Sequence, residues 1–226
     1  MASQRMHWVD NLKGFLIFLV VVGHILQSAI DAHIDTEVMS CIFDWIYSFH
    51  MPLFFAASGY VYSLTLRKSL SDEKFAGKWK KRIITLIYLY FVYSFLMWGF
   101  KYCFSSFSLK ESVDLTTLFF LPLKPISVYW FLYLLIIYFV IVPLWEKYVN
   151  YINCKTLLMM FVAQIVSMHI DLPFYFNRII YMLPFFAAGT LTGDLKKSGY
   201  ELKLLSRGML TLFVVCLCDM QPPEWT

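Results

Sequence analysis

Seven apolar runs, near residues 13–31, 39–66, 83–100, 126–145, 157–172, 178–194 and 207–220, fill most of the chain, and the cations gather between them. A bilayer core about 30 Å thick is crossed by roughly 20 helical residues. Inside it, backbone amides and carbonyls must bond within their own segment, so such runs fold as helices. The pattern predicts an all-α, polytopic transmembrane helix bundle of about seven spans. The second run is long and contains Pro52, which is expected to kink or break it. The fifth and sixth are short and flank Pro173, and the seventh is the weakest.

Composition agrees. Hydrophobic residues make up 60% of the 226 and charged ones 15%, with a mean hydropathy of +0.64. A soluble domain lies nearer 45–50% apolar and about 25% charged. Residues 1–30 also have the outline of a signal peptide, but the rest of the chain is equally apolar, so this run reads as the first anchor. The longest hydrophilic loops, about 67–82 and 101–125, leave no room for a soluble domain, and no repeat is visible. The expectation is a single membrane-embedded domain over residues 1–226.

Lysine and arginine orient the bundle. With a cytoplasmic N-terminus, fifteen of the 19 cations fall inside, and Lys101, Lys110, Lys124 and Arg178 fall outside. The formal charge of +4 is thus a topology signal and does not suggest nucleic acid. The five cysteines offer metal spacing only at Cys216-Leu217-Cys218, which reads as two small apolar side chains, so no metal is expected.

The first run carries ionisable residues. Along a helix turning about 100° per residue, the eleven residues from Lys13 to His24 return to within about 20° of the same direction. Asp10 and Ser28 fall on the same side. The rise from Lys13 to His24 is about 16 Å, which puts Lys13 at the cytoplasmic boundary and His24 near mid-membrane. Ionisable groups in a span face a bundle interior or an aqueous cavity and mark function by default. A neutral imidazole can take a proton from a hydroxyl, and a cation at the mouth can hold a phosphate. The plainer alternative is that His24 only braces a neighbouring helix. Gly23 would let another helix or a ligand approach closely.

The second run holds SFHMPLFFAASGYVY, residues 48–62, with His50 two residues before Pro52 and Ser58 beyond it. A broken helix at membrane depth must line a cavity or be packed in protein, so His50 and Ser58 are candidates for a substrate cavity or for a packed kink. In RKSLSDEKFAGKWKKRII, residues 67–84, Lys78, Lys81 and Arg82 are either the ordinary cytoplasmic anchor or a patch for an anionic donor. Lys78 and Arg82 would share a helix face. Tyr129 and Trp130 open the fourth run and read first as an outer aromatic belt. His7 and His33 are loop residues with no pattern, and His169 and Asp171, near the outer end of the fifth run, read as solvated rather than catalytic.

Three blocks carry a family resemblance: WVDNLKGFLIFLVVVGH (8–24), FHMPLFFAASGYVY (49–62) and, more weakly, KKRIITLIYLYF (80–91) with YWFLYLLIIYFVIVP (129–143) and LPFFAAGTLTG (183–193). The sequence resembles the acyltransferase-3 family of polytopic membrane acyltransferases, which includes O-acetyltransferases of bacterial surface carbohydrates. The resemblance implies an O-acyltransferase of groups other than amino-acyl groups, in a bacterial inner membrane. It implies acyl-CoA, most often acetyl-CoA, as donor and a carbohydrate or lipid-linked glycan hydroxyl as acceptor. It implies His24 as catalytic histidine and Lys13 as its cationic partner. Lys78, Lys81 and Arg82 would then hold the donor, with Asp10, His50, Ser58 and Trp130 around the substrate. Besides donor and acceptor, the partners are membrane lipids, and a homo-oligomer is left open. The family often has arginine at the Lys13 position; lysine keeps the charge but loses the bidentate fork. Members commonly have about ten spans where this chain offers about seven by the length a span requires. The expectation is a chain lacking the C-terminal spans. Two other readings stay open. One is a transporter of a sugar or anion, which polar helices and a proline in a span also fit. The other is an inactive remnant.

Overall fold

The computed structural model describes residues 6–34, 36–67, 73–103, 116–126, 129–149, 152–170, 172 and 175–197. They form seven helices: α1 His7–Asp31, α2 Glu37–Thr65, α3 Glu73–Cys103, α4 Thr116–Phe120, α5 Trp130–Tyr148, α6 Cys154–Ser167 and α7 Phe176–Lys197. There is no strand among the described residues, so the protein is all-α.

Among the described residues, four helices are long and apolar enough to cross a membrane: α1, α2, the Ala76–Cys103 part of α3, and α5. They coincide with the first four apolar runs. The fifth run gives only the 14 residues of α6, about 21 Å of helix. Asn153 sets its start, its Oδ1 accepting from the amides of Lys155 (2.9 Å) and Thr156 (3.0 Å). The sixth run becomes the 22-residue α7, which is long enough to span but carries Arg178, Asp194, Lys196 and Lys197. The run at 207–220 lies outside the described residues. The hydrophilic stretch 67–82 is not all loop: α3 starts at Glu73 and carries Lys78, Lys81 and Arg82 on its first turns.

Pro52 does not break α2, and Pro143 and Pro184 likewise sit inside α5 and α7. Each removes one amide donor from its helix. In α5 the carbonyl released is that of Phe139, and it accepts the Trp79 indole N–H at 2.7 Å.

The chain divides into two compact units, Met1–Thr65 with Asn153–Leu158 and Pro184–Thr226, and Leu66–Ile152 with Met159–Leu183. In the first, α1 and α2 form an antiparallel hairpin around Leu16, Leu19 and Ile46. The opposite side of α1 exposes Phe18, Val21 and Ile25, each more than half accessible, a surface suited to lipid. In the same unit α2 and the Pro184–Lys197 part of α7 run parallel through a seam of small residues. A side chain on Gly59 would strike the Phe186 carbonyl, and one on Gly189 the Ala56 carbonyl. Within α7, Thr190 Oγ1 donates to Phe186 O at 3.0 Å, and it also stands 3.4 Å from the Gly59 carbonyl across the seam. Parallel packing is what alternating spans require of the second and sixth runs.

In the second unit, α3 and α5 pair antiparallel. Trp79 and Arg82 meet Phe139 at one end, while Tyr90 meets Tyr133 and Tyr93 meets Tyr129 at the other.

Candidate functional site

The α1–α2 turn fixes how the two histidines meet. His33 adopts φ 57°, in the left-handed region. Its amide donates to Ile30 O at 3.0 Å and the Ile34 amide to Ala29 O at 3.1 Å, the paired bonds of a Schellman motif. Thr36 Oγ1 then accepts from the Met39 amide at 3.3 Å and caps α2.

Across the hairpin, Trp8 meets Tyr60 edge-on with centroids 5.1 Å apart. Further along, the Tyr47 ring lies over Gly23, with Cε2 2.7 Å from where a β-carbon would stand. Gly23 therefore admits a ring from α2, next to His24. In this register His50, one turn beyond Ile46, lies level with the region of Leu19. It falls in depth between Lys13 and His24.

His50 is buried, at 3% exposure. Its Nδ1 lies 2.7 Å from the Ile46 carbonyl. A carbonyl can only accept, so in the neutral ring Nδ1 carries the hydrogen and Nε2 keeps its lone pair. Tyr47 packs edge-on against the same ring at 4.9 Å. His24 is half-buried and close enough to His50 to act on it electrostatically. Lys13 is also half-buried, on the flank of the packed face of α1. Asp10 and Ser28 stand further round and are exposed; Ser28 Oγ donates to the His24 backbone carbonyl at 2.9 Å.

The first unit thus brings Lys13, His24 and His50 onto one hairpin. Ser58 is buried in α2 beside Gly59, in the stretch that packs on α7. The remaining expected residues belong to the second unit. There Lys78, Lys81 and Arg82 are exposed at the start of α3, with the Arg82 guanidinium 5.8 Å from the Phe139 ring centre. Trp130 lies at the other end of the α3–α5 pair.

Several polar features in or at the ends of the apolar runs were missed in the sequence. Glu146 in α5 pairs with Arg67 at 2.6 Å, with side chains 1% and 8% exposed. Ser63 Oγ donates to Asp194 at 2.6 Å in the α2–α7 seam. Lys196 Nζ stands 5.6 Å from the Tyr60 ring centre. Glu146 and Asp194, carboxylates at the ends of apolar runs, were themselves the signal. Among the described residues, no group of three or more His, Cys, Asp or Glu could hold a metal.

Known proteins place this hairpin in context. The Nodulation protein NolL of Mesorhizobium japonicum is 37% identical over 134 residues, which are 59% of this chain and 34% of that protein. The Nodulation protein NolL of Sinorhizobium fredii is 47% identical over 68 residues, which are 30% of this chain and 19% of that protein. The matches thus cover only a minor part of either relative's length. No solved structure matches. Residues 6–221, with the α1–α2 hairpin among them, match the acyltransferase-3 family, described as an acyltransferase domain, and the chain belongs to that family.

Proposed function

We propose that the protein is an integral membrane O-acyltransferase. It moves an acyl group, most simply acetyl, from acyl-CoA to a hydroxyl of a cell-surface carbohydrate or its lipid-linked precursor. The setting is a bacterial inner membrane. Beyond family membership, the observation that carries the reading is the placing of two imidazoles and Lys13 on one hairpin, with His50 Nε2 left able to accept a hydrogen.

The chemistry needs little more. The acceptor hydroxyl loses its proton to an imidazole as its oxygen attacks the thioester carbonyl. The C–O ester bond forms, the C–S bond breaks, and the thiolate takes up the proton from the imidazolium as CoA leaves. In this proposal His24 is the base, and Lys13 holds a phosphate of the donor from the cytoplasmic side. His50 Nε2 extends the same line of acceptors toward Lys13. Lys78, Lys81 and Arg82, on their own unit, raise the local concentration of a polyanionic donor at the membrane surface.

The test uses protein in nanodiscs with radiolabelled acetyl-CoA and a lipid-linked glycan fraction. CoA release with label transfer, lost in His24→Ala, is the expected result. Neither acetyl-CoA binding nor turnover in the wild type would sink the reading in favour of a transporter or an inactive chain.

A further inference from the structure

Lys13 and His24 share their flank of α1 with a third ionisable residue. The eighteen residues from Lys13 to Asp31 make five turns at about 3.6 residues each, so both side chains leave α1 in the same direction. His24 lies within about 20° of that direction. The rise from Lys13 to Asp31 is about 27 Å, close to the thickness of a bilayer core of about 30 Å. One helix thus carries a cation at its cytoplasmic boundary, a carboxylate at its outer boundary and an imidazole between them. The imidazole is not centred: His24 is about 16 Å from Lys13 along the axis and about 10 Å from Asp31.

The two ends differ in charge. No lysine or arginine occurs between Lys13 and Arg67, and the α1–α2 turn is flanked by Asp31 and Glu37. A polyanionic donor is drawn to the basic end and repelled from the acidic one. Helix energetics do not account for Asp31. It stands in the last turn of α1, at the negative end of the helix macrodipole, where a carboxylate is disfavoured. Gln27, half-buried and one turn deeper, donates to Asp31 Oδ1 at 2.9 Å. Tyr47, over Gly23 and edge-on to His50 at 4.9 Å, is close enough to Asp31 to be acted on by its charge. Gln27 and Tyr47 thus supply hydrogen-bonding groups in the interval between Asp31 and the two imidazoles. Val21 and Ile25, on the other side of α1, are the residues suited to lipid.

We propose that this flank is the acceptor's entrance: Asp31 and Gln27 bind hydroxyls of an uncharged sugar arriving from the outer face and direct one of them to His24. A carboxylate accepts from several hydroxyls at once, and an amide both donates and accepts, which suits a polyol. The carboxylate charge disfavours an acidic sugar. The long, thin arm of the donor covers the longer interval from Lys13, and the compact sugar covers the shorter one from Asp31. Naming the sugar as acceptor rests on the acyl-transfer reading; access from the outer face to His24 does not.

The first arm of the experiment therefore needs no turnover. In the full chain with Cys41, Cys103, Cys154, Cys216 and Cys218 changed to serine, Gln27→Cys, His24→Cys and Ile25→Cys are made singly. Sealed vesicles meet a membrane-impermeant charged maleimide on one face at a time. Gln27→Cys and His24→Cys should label from the outer face at least about tenfold faster than Ile25→Cys, since a thiol in lipid does not ionise. Positions 24 and 25 differ in depth by one residue only, so depth does not explain the contrast. Labelling of His24→Cys from the cytoplasmic face alone, or no faster than Ile25→Cys, would overturn the proposal. The second arm keeps the native cysteines. Asp31→Asn retains an acceptor for the Gln27 amide and loses the charge. It should raise KM for a lipid-linked glycan fraction about tenfold, the effect of a lost hydrogen bond to a charged group, and leave KM for acetyl-CoA in place. An unchanged glycan KM would remove Asp31 from the site. Where the wild type transfers nothing, the enzyme reading fails and the labelling alone decides the entrance.

Discussion

Trp79 hydrogen-bonds the carbonyl of Phe139 across 2.7 Å, and that carbonyl is available because Pro143, four residues further on, has no amide hydrogen. One proline in α5 thus creates the acceptor that ties α3 to it. Removing the indole donor leaves a buried carbonyl unsatisfied, which costs about 1–3 kcal/mol. Trp79→Phe should destabilise the protein by that amount in denaturant titration in detergent. Pro143→Ala restores an amide to the carbonyl, so Trp79→Phe should cost at least about 1 kcal/mol less in that background. Equal costs in both backgrounds would show that the loss is ordinary packing.

The α2–α7 seam makes a second prediction through two glycines of opposite surroundings. A β-carbon on Gly189 would overlap the Ala56 carbonyl, and backbone cannot give way as a flexible side chain can. Gly189→Ala should cost about 1–3 kcal/mol or more as the helices separate. Gly14 in α1 has nothing within 4 Å of its β-position. Gly14→Ala should be neutral or stabilising by about 0.5–1 kcal/mol, since alanine is the better helix former. Thermal unfolding of the two variants side by side checks the contrast.

Glu146 and Arg67 form a buried pair, so removing one charge is worse than removing both. Glu146→Gln leaves the Arg67 guanidinium buried without its counter-ion and should cost about 3–5 kcal/mol. The double variant Glu146→Leu with Arg67→Met should recover most of that loss. If the double variant is as unstable as the single, the pair is not what holds Arg67 in place. Expression yield and unfolding in detergent both report the order.

What could be read from the sequence follows from the range of each interaction. The four long spans were legible because a run of about 20 apolar residues specifies its own helix. The fifth run was legible as short, but the start of α6 was not, since it depends on where Asn153 caps the chain. The α2–α7 seam joins residues 131 positions apart, as Ser63 and Asp194 are, and no local pattern specifies such a pairing. Pro52 looked like a break because local rules price only the lost amide; the structure keeps α2 helical through it. His24 and His50 were legible as polar residues within apolar runs, and Lys13 as a cation at the boundary. The depth of His50 between the other two was not, because it depends on the register that Gly23 and Tyr47 impose.

That register leads to the most direct test of the hairpin's chemistry. Asparagine at position 50 can place its amide N–H near the site of Nδ1 and keep a bond to the Ile46 carbonyl, but it has nothing in place of Nε2. If His50 only braces α2, His50→Asn should fold normally and leave any acetyl transfer unchanged. If Nε2 belongs to the proton path, His50→Asn should keep wild-type stability and lower kcat by about 10²–10⁴, the range for a general base. His24→Ala should lower it by a similar factor. Groups that act as one unit are not additive, so the double variant should be no slower than the worse single one. Multiplying losses would instead mean that the two imidazoles act independently. Single-turnover rates with pre-bound acetyl-CoA, measured beside unfolding curves for all four proteins, separate these outcomes.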